Sequence, residues 1–459
     1  MFIIFLFLYP FLINCNQKDK AKIVKSDTAV TVASNDMSLP GSFSPETPLV
    51  FDSSYLYQFL DSFPLFKKMQ AQLDTFYNKR NFSFAWYDKR GMIEPANNLY
   101  NHLLNIHDEG IADSVLYKTQ LTNLVDLESN NQRPSPILDL MLTAQYLDYA
   151  SKVWSGVAAN KMTEFEWLLP RKETSYGQLL DSLISGKDVL NNAPVYRQYA
   201  LLKDYLKKYN AIKNSGGWEA VNADRKRYNF GDSGTVISRV RKRLFVTGDI
   251  PENSGSALFD SSLYNAVKNY EIRSGYNDDG ILTTELIAQM NVPVEKRIEQ
   301  IIVNMERSRW VPIQVNTDYL LINIPDYKLY AYENDIPVLN MNVVVGRDQH
   351  RTVIFNGDMK YIVFSPYWNI PSSILKVEVL PAIKRNPKYL AQHNMEWNGG
   401  TVRQKPGPDN SLGLVKFLFP NNFNIYLHDT PAKSLFKEDH RAFSHGCIRL
   451  SQPAKLAQY

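Results

Sequence analysis

Cysteine is almost absent from this chain. Two occur in 459 residues, Cys15 and Cys447, which is too few for a disulfide framework. A dominant charge sign is lacking as well. The 51 Lys and Arg stand against 47 Asp and Glu and leave a formal charge of +4, interspersed rather than gathered, so no basic stripe argues for nucleic acid. A mildly basic surface favours anionic polymers only weakly. No apolar run reaches the roughly 20 residues that a membrane-spanning helix needs. No cofactor is expected, and the first half of the chain carries neither a metal-ligand nor a nucleotide-binding spacing. The apolar share of 44% is ordinary, and the length predicts two or three domains with ample core.

Near the N-terminus, Phe2 to Ile13 is almost wholly apolar and fits the core of a signal segment. Leu12-Ile13-Asn14-Cys15 follows it directly and resembles a bacterial lipobox. That likeness implies lipidation of Cys15 and a membrane anchor, with a secretory segment lacking lipid as the alternative. Residues 1–15 are thus read as a signal and lipobox segment. Residues 16–50 turn to Lys, Ser, Thr, Asp and Pro, the composition of a solvated tether.

From 51 to 234 the signals are helical. Leu138, Leu142, Tyr146, Tyr149 and Val153 step by four, four, three and four along one helix face. The aromatics around Phe76-Tyr77 and Phe84-Ala85-Trp86 read as core, and the region as a scaffold. Residues 235–293 resemble the small helical peptidoglycan-binding domain, through Ala266-Val267-Lys268 on a helix and the turn Gly275-Tyr276-Asn277-Asp278-Asp279-Gly280. Tyr270-Glu271 stands where that domain has Phe-Gln, so a structural spacer is the competing reading. A connecting helix is predicted over 294–312 from Ile298, Ile301, Ile302 and Met305, with Pro312 ending it.

Beyond Pro312 the period changes to that of strands. Short Val-, Ile- and Tyr-rich runs at 319–324, 328–332, 340–345 and 360–364 are separated by Pro-Asp, Asn-Asp and Gly turns. An irregular stretch at about 372–413 reads as an insertion serving as a lid or substrate wall. Strands resume at 415–419 and 424–427, the last delivering His428. The fold class is therefore α+β and multi-domain: a helical scaffold, a small helical domain, and a mostly β catalytic domain over 313–459.

Chemistry gathers at the end of that domain. A thiol is nucleophilic as thiolate, and an unperturbed pKa of about 8.5 leaves little of it ionised at neutral pH. Cys447 has two histidines close in sequence, His428 and His445, in Ile425-Tyr426-Leu427-His428-Asp429 and Ser444-His445-Gly446-Cys447-Ile448-Arg449. A rigid strand would fix His428 while the loop from Asp429 to Phe443 folds back to bring Cys447 to it. Gly446 permits close backbone approach, and the N–H groups of Gly446 and Cys447 are natural oxyanion donors. A zinc site from His428, His440, His445 and Cys447 is the competing reading, but the His-Gly-Cys spacing matches no common structural zinc pattern.

These blocks resemble the signature of the YkuD-type L,D-transpeptidases, a His followed by Ser/Thr-His-Gly-Cys-x-Asn/Arg. Asn323-Ile324-Pro325, Val344-Val345-Gly346, Pro366-Tyr367-Trp368-Asn369, Gln404-Lys405-Pro406-Gly407 and Lys416-Phe417-Leu418-Phe419-Pro420-Asn421 extend the likeness to the large multi-domain branch of that family. The resemblance implies acyl transfer on peptidoglycan stem tetrapeptides through a Cys447 thioester, with 3-3 cross-links as product. It implies His428 as the base, with His445 ranked second to orient the site or tune the thiol. Arg449 holds a stem carboxylate or braces the loop, and Ser444 is placed with the substrate-binding residues. Tyr367 and Trp368 line the acceptor side or pack the domain. The partners implied are peptidoglycan stem peptides and, through Cys15, a membrane; the place implied is the cell envelope, in the periplasm. Water or another amine as acceptor would give an L,D-carboxypeptidase or a protein-attaching enzyme. A catalytically silent peptidoglycan-binding lipoprotein is the rival from another class. The chain stops at Tyr459, a dozen residues past Cys447, where this branch continues, so part of the catalytic domain is expected to be missing.

Overall fold

The computed structural model describes residues 2–6 and 48–459, apart from 113, 132, 159–160, 162–163, 165–166, 170–173, 312–317 and 349–350. Cys15 and nearly all of the predicted tether lie outside the described residues. Phe2–Leu6, within the predicted signal segment, forms a strand. The architecture is α+β and multi-domain, helical first and mostly β after residue 318.

The scaffold is built around the helix Pro136–Ala150. Pro136 opens it and Ser135 caps it, the Ser135 hydroxyl accepting the Leu138 N–H at 3.3 Å. The sequence shows one apolar face, yet every residue from Leu138 to Ala150 is buried. The polar positions are buried because they are partnered. Asp139 accepts the N–H groups of Ala85 and Trp86 at 3.0 and 2.8 Å and the Tyr77 hydroxyl at 2.7 Å. Buried polar groups persist only when satisfied in this way.

The connecting helix runs Val294–Trp310 and packs on Gln198–Asn214. Arg309 on it is 1% exposed. Its guanidinium donates to the Val153 carbonyl at 2.8 Å and the Tyr199 hydroxyl at 3.1 Å, fixing the helix to the scaffold, and pairs with Glu306 of its own helix at 2.6 Å. The small domain has its own core, formed by Val240, Leu244, Leu263, Val267, Leu286 and their neighbours. This core also takes in Val221 and Tyr228, and Arg227–Tyr228 pairs with Leu282–Thr283. The unit therefore reaches upstream of residue 235, because its first strand lies before its first helix.

The β domain is dominated by one large sheet. Its strands run in the order Tyr361–Phe364, Val415–Leu418, Leu427–His428, Ile448–Leu450, Ile336–Gly346, Lys328–Glu333, Tyr319–Asn323, Phe2–Leu6, Asn356–Asp358, with Ala442–Ser444 paired off this path to Ile336–Gly346. The hairpin between Lys328–Glu333 and Ile336–Gly346 turns at Asn334 and Asp335, both at positive φ (48° and 62°), the geometry that suits the twist of a two-residue hairpin loop. The strand predicted over 424–427 starts at Leu427 instead, since Asn424 sits at φ 55°, which no strand accommodates. Sheet and scaffold share one continuous hydrophobic core.

The insertion folds as a unit of its own. Short helical turns from Ser372 to Gln392 pack over the hairpin Met395–Asn398 and Thr401–Gln404, and Trp368–Asn369 adds a third strand. Ile370, Leu375, Val379 and Val402 form its separate core.

Candidate active site

Strand register decides which side chains meet. His428 lies opposite Lys416 on one side and Arg449 on the other. Residues in one cross-strand row project to the same face of a sheet, so Lys416, His428 and Arg449 share a face. Tyr426 and Cys447 each stand two residues before a member of that row, immediately ahead of the strands that begin at Leu427 and Ile448, and the Ile448 N–H to Tyr426 carbonyl bond of 3.1 Å extends the pairing to them. The alternating residues Val415, Phe417, Leu427 and Ile448 are buried in the core. Apolar alternation on the back of the sheet thus aims five polar side chains at one patch on the front.

His428 is buried. Its Nδ1 lies 2.5 Å from the Asp429 carbonyl oxygen. With Nδ1–H donating there, Nε2 keeps its lone pair, the tautomer a general base needs. Burial pushes its pKa down to about 3, assisted by the nearby Arg449 and Lys416 cations. The imidazole is therefore uncharged at neutral pH. The Asp429 carboxylate braces this arrangement by accepting the Leu414 and Thr430 N–H groups at 2.9 and 2.7 Å and pairing with Lys433. Gly413, at φ 60°, is where that carboxylate packs; a Cβ there would come within 2.4 Å of it.

Cys447 is half-buried. Its thiol donates to the Asn424 carbonyl at 3.5 Å. Burial pushes the thiol pKa up, against the pull of Tyr426, Lys416 and Arg449. Tyr426 faces both the Cys447 sulfur and the Trp368 indole, and the Lys416 ammonium lies 3.8 Å from the Tyr426 ring centre. Arg449 is half-buried, and its Nε has no hydrogen-bond partner among the described residues.

The loop carrying Cys447 is closed by its own groups. Ser444 is buried, and its hydroxyl donates to the Cys447 carbonyl and accepts the Gly446 N–H at 3.0 Å. Ser444, expected beside substrate, thus shapes the loop. The Gly446 N–H, expected as an oxyanion donor, is engaged by Ser444. Gly446 itself takes φ 110°, a conformation open to glycine. Its carbonyl accepts the Thr352 hydroxyl at 2.8 Å, and Thr352 accepts the Gly346 N–H at 2.9 Å. His445 points to other partners: its Nε2 lies 3.1 Å from both Arg347 and the Glu378 carboxylate, which ties the Cys447 loop to the insertion. Tyr367 is exposed under the Arg403 guanidinium, 4.3 Å from its ring centre. His440 packs edge-on against Tyr327. Among the described residues no three His, Cys, Asp or Glu side chains are grouped to hold a metal ion.

Lys416, Tyr426, Asn424 and Thr352 were not singled out from the sequence. The first two carry a legible signal, a polar residue alternating with apolar ones, Lys416 within the strand Val415–Leu418 and Tyr426 just before Leu427–His428. Asn424 and Thr352 act through main-chain geometry and leave none.

Residues 317–459 match the model of the L,D-transpeptidase catalytic domain, YkuD. This segment is similar to the catalytic domain that the model describes. Residues 71–206 of the same chain match a model described as a scaffold domain. A curated Haemophilus influenzae protein named "Putative L,D-transpeptidase" is 32% identical over 192 residues, which cover 37% of this chain and 39% of that protein. The chain thus spans about two fifths of that relative's length. Two solved structures are similar at 14% identity and a TM-score of 0.17: an L,D-transpeptidase (residues 123-326) from Xylanimonas cellulosilytica, over 51% of this chain and 90% of that one, and the Ldtfm-avibactam carbamoyl enzyme, over 54% and 90%.

Proposed function

We propose that this chain is a peptidoglycan L,D-transpeptidase that forms 3-3 cross-links through a Cys447 acyl-enzyme. The observation that carries the reading is the row Lys416, His428, Arg449 with Tyr426 and Cys447 beside it, on a segment similar to the YkuD catalytic domain. Both Cys447 and His428 rest uncharged, so the thiol proton passes to His428 Nε2 as sulfur attacks the carbonyl carbon of the third stem residue. The amide C–N bond breaks, His428 returns the proton to the leaving D-alanine amine, and a thioester remains. The side-chain amine of a diamino acid on a second stem attacks that thioester, a new amide forms, and its proton returns through His428 to sulfur. Lys416 and Arg449 stabilise the negative charge that develops at sulfur and oxygen. The unpaired Nε of Arg449 suits a stem carboxylate, which a guanidinium binds in a planar fork. Peptidoglycan stems are the substrate of this reading and the cell envelope its place, with Cys15 as a lipid anchor.

The test is incubation of the purified chain with disaccharide-tetrapeptides and mass spectrometry of the products. Dimers one D-alanine lighter than two tetrapeptide monomers are expected. Tripeptide alone would redirect the reading to a carboxypeptidase, and neither product from folded protein would overturn it.

A further inference from the structure

The turn Gly275 to Gly280 of the small helical domain reaches the catalytic loop. The Asn277 N–H donates to Asp439 Oδ1 at 3.0 Å, and its side-chain amide donates to the same oxygen at 2.6 Å and to the Lys437 carbonyl at 2.9 Å. Lys437 and Asp439 lie between the base, His428, and the nucleophile, Cys447. Three hydrogen bonds from one residue thus span two separately built units.

Both sides of this contact are stiff. Within the small domain, buried Glu271 accepts the Gly280 N–H at 2.9 Å, and the Tyr276 N–H donates to the Glu271 carbonyl at 2.9 Å. Gly280 lies so close to the Tyr264 ring that a Cβ would approach within 2.2 Å. On the catalytic side, Arg441 is 2% exposed and donates to the carbonyls of Glu438, Asp326 and Tyr327. The Arg441 carbonyl accepts the Val345 N–H at 2.9 Å, and the Ser444 carbonyl accepts the Arg347 N–H at 3.0 Å. Ser444 then closes the turn that holds Cys447. A displacement at Asp439 has little slack to dissipate before it reaches the sulfur.

The contact is polar. A cavity of about 200 Å³ lies beside it, lined by Tyr276, Gln289, Tyr327, Asp439 and His440, so directional bonds rather than apolar packing define how the two units dock here. Gly275 lets the buried Asp326 carboxylate approach; a Cβ there would sit 3.3 Å from its Oδ1.

We propose that Asn277 is a positioning residue for Cys447: the small helical domain holds the loop between His428 and Cys447 in its attacking shape through Asp439 and Lys437. This rests on the reading of Cys447 as an acylated nucleophile. The test follows acylation of the full chain by meropenem, using intact-mass spectrometry across concentrations. Asn277→Ala and Asp439→Ala are each expected to lower the saturating rate about fivefold while the half-saturating concentration stays within about twofold. The double variant should fall no further than either single one, because one interaction is removed in all three. Asp439→Asn keeps an acceptor oxygen and should recover most of the rate. Asp278→Ala, exposed on the same turn, should behave as wild type. Wild-type saturating rates in both single variants, or independent multiplying losses, would overturn the proposal. Hydrogen exchange of 437–447 separates it from the acyl-transfer reading: an unacylated wild type defeats that reading alone, whereas exchange unchanged by Asn277→Ala defeats the docking role.

Discussion

In the proposed reading His428 is the base and Cys447 the nucleophile, and the burial of both bears on how they would cooperate. Neither is ionised at neutral pH, so removing the imidazole leaves a thiol with nothing to take its proton. His428→Ala is expected to slow carbapenem acylation at pH 7 by about 100-fold to 10,000-fold, the usual worth of a positioned base, and His445→Ala far less. The residual rate of His428→Ala should climb about tenfold per pH unit until the thiol itself ionises, above the range of about 8.5 usual for a free thiol because burial raises it. The same burial sets a stability limb. The unfolded imidazole protonates near 6.5, the folded one near 3, so between these values the unfolded chain binds more protons. The stability contribution is complete above pH 6.5 and is lost as pH falls towards 3. Denaturation followed from pH 7 to 4 in wild type and His428→Asn checks this, the variant showing the shallower decline. His428, Cys447 and Gly446 could be singled out as candidates because their chemistry is local in sequence. The engagement of Ser444 and of the Gly446 N–H was not, since it depends on how a three-residue turn closes.

At the scale of elements, the helix Pro136–Ala150 shows how polar residues specify a core. The periodicity of Leu138, Leu142 and Tyr146 identified the helix, but one apolar face cannot reveal a helix buried all round with Asp139 and Thr143 inside. Asp139→Ala strands the Ala85 and Trp86 N–H groups and removes one of the partners of the Tyr77 hydroxyl, which keeps the Thr143 hydroxyl at 2.7 Å. A loss of about 3–5 kcal/mol is expected from breaking such a buried network, with Asp139→Asn losing less because one acceptor oxygen remains. Urea unfolding followed by Trp fluorescence reads both. The insertion was legible as an interruption between strands. Its link to the site through Glu378 and His445 was not, because an ion pair between residues 67 positions apart leaves no pattern in either segment.

Taken as a whole molecule, the chain is less modular than its sequence implies. The connecting helix ends at Trp310 and the next described strand begins at Tyr319, yet scaffold and sheet share one core, while the small domain and the insertion each keep their own. Shared cores have no sequence signature, because each partner displays the same apolar pattern it would show alone. Residues 313–459 produced without the scaffold should therefore bind the apolar dye ANS and lack near-ultraviolet circular dichroism, and co-production with 51–312 should restore both. A well-packed isolated segment would contradict the shared core. The resting state of the site also governs a reaction it has no part in. Peroxides attack cysteine as thiolate, and the protonated Cys447 offers them almost none. Slow oxidation of Cys447 by hydrogen peroxide at neutral pH is therefore expected, because the burial that keeps the thiol protonated also withholds the thiolate from the oxidant.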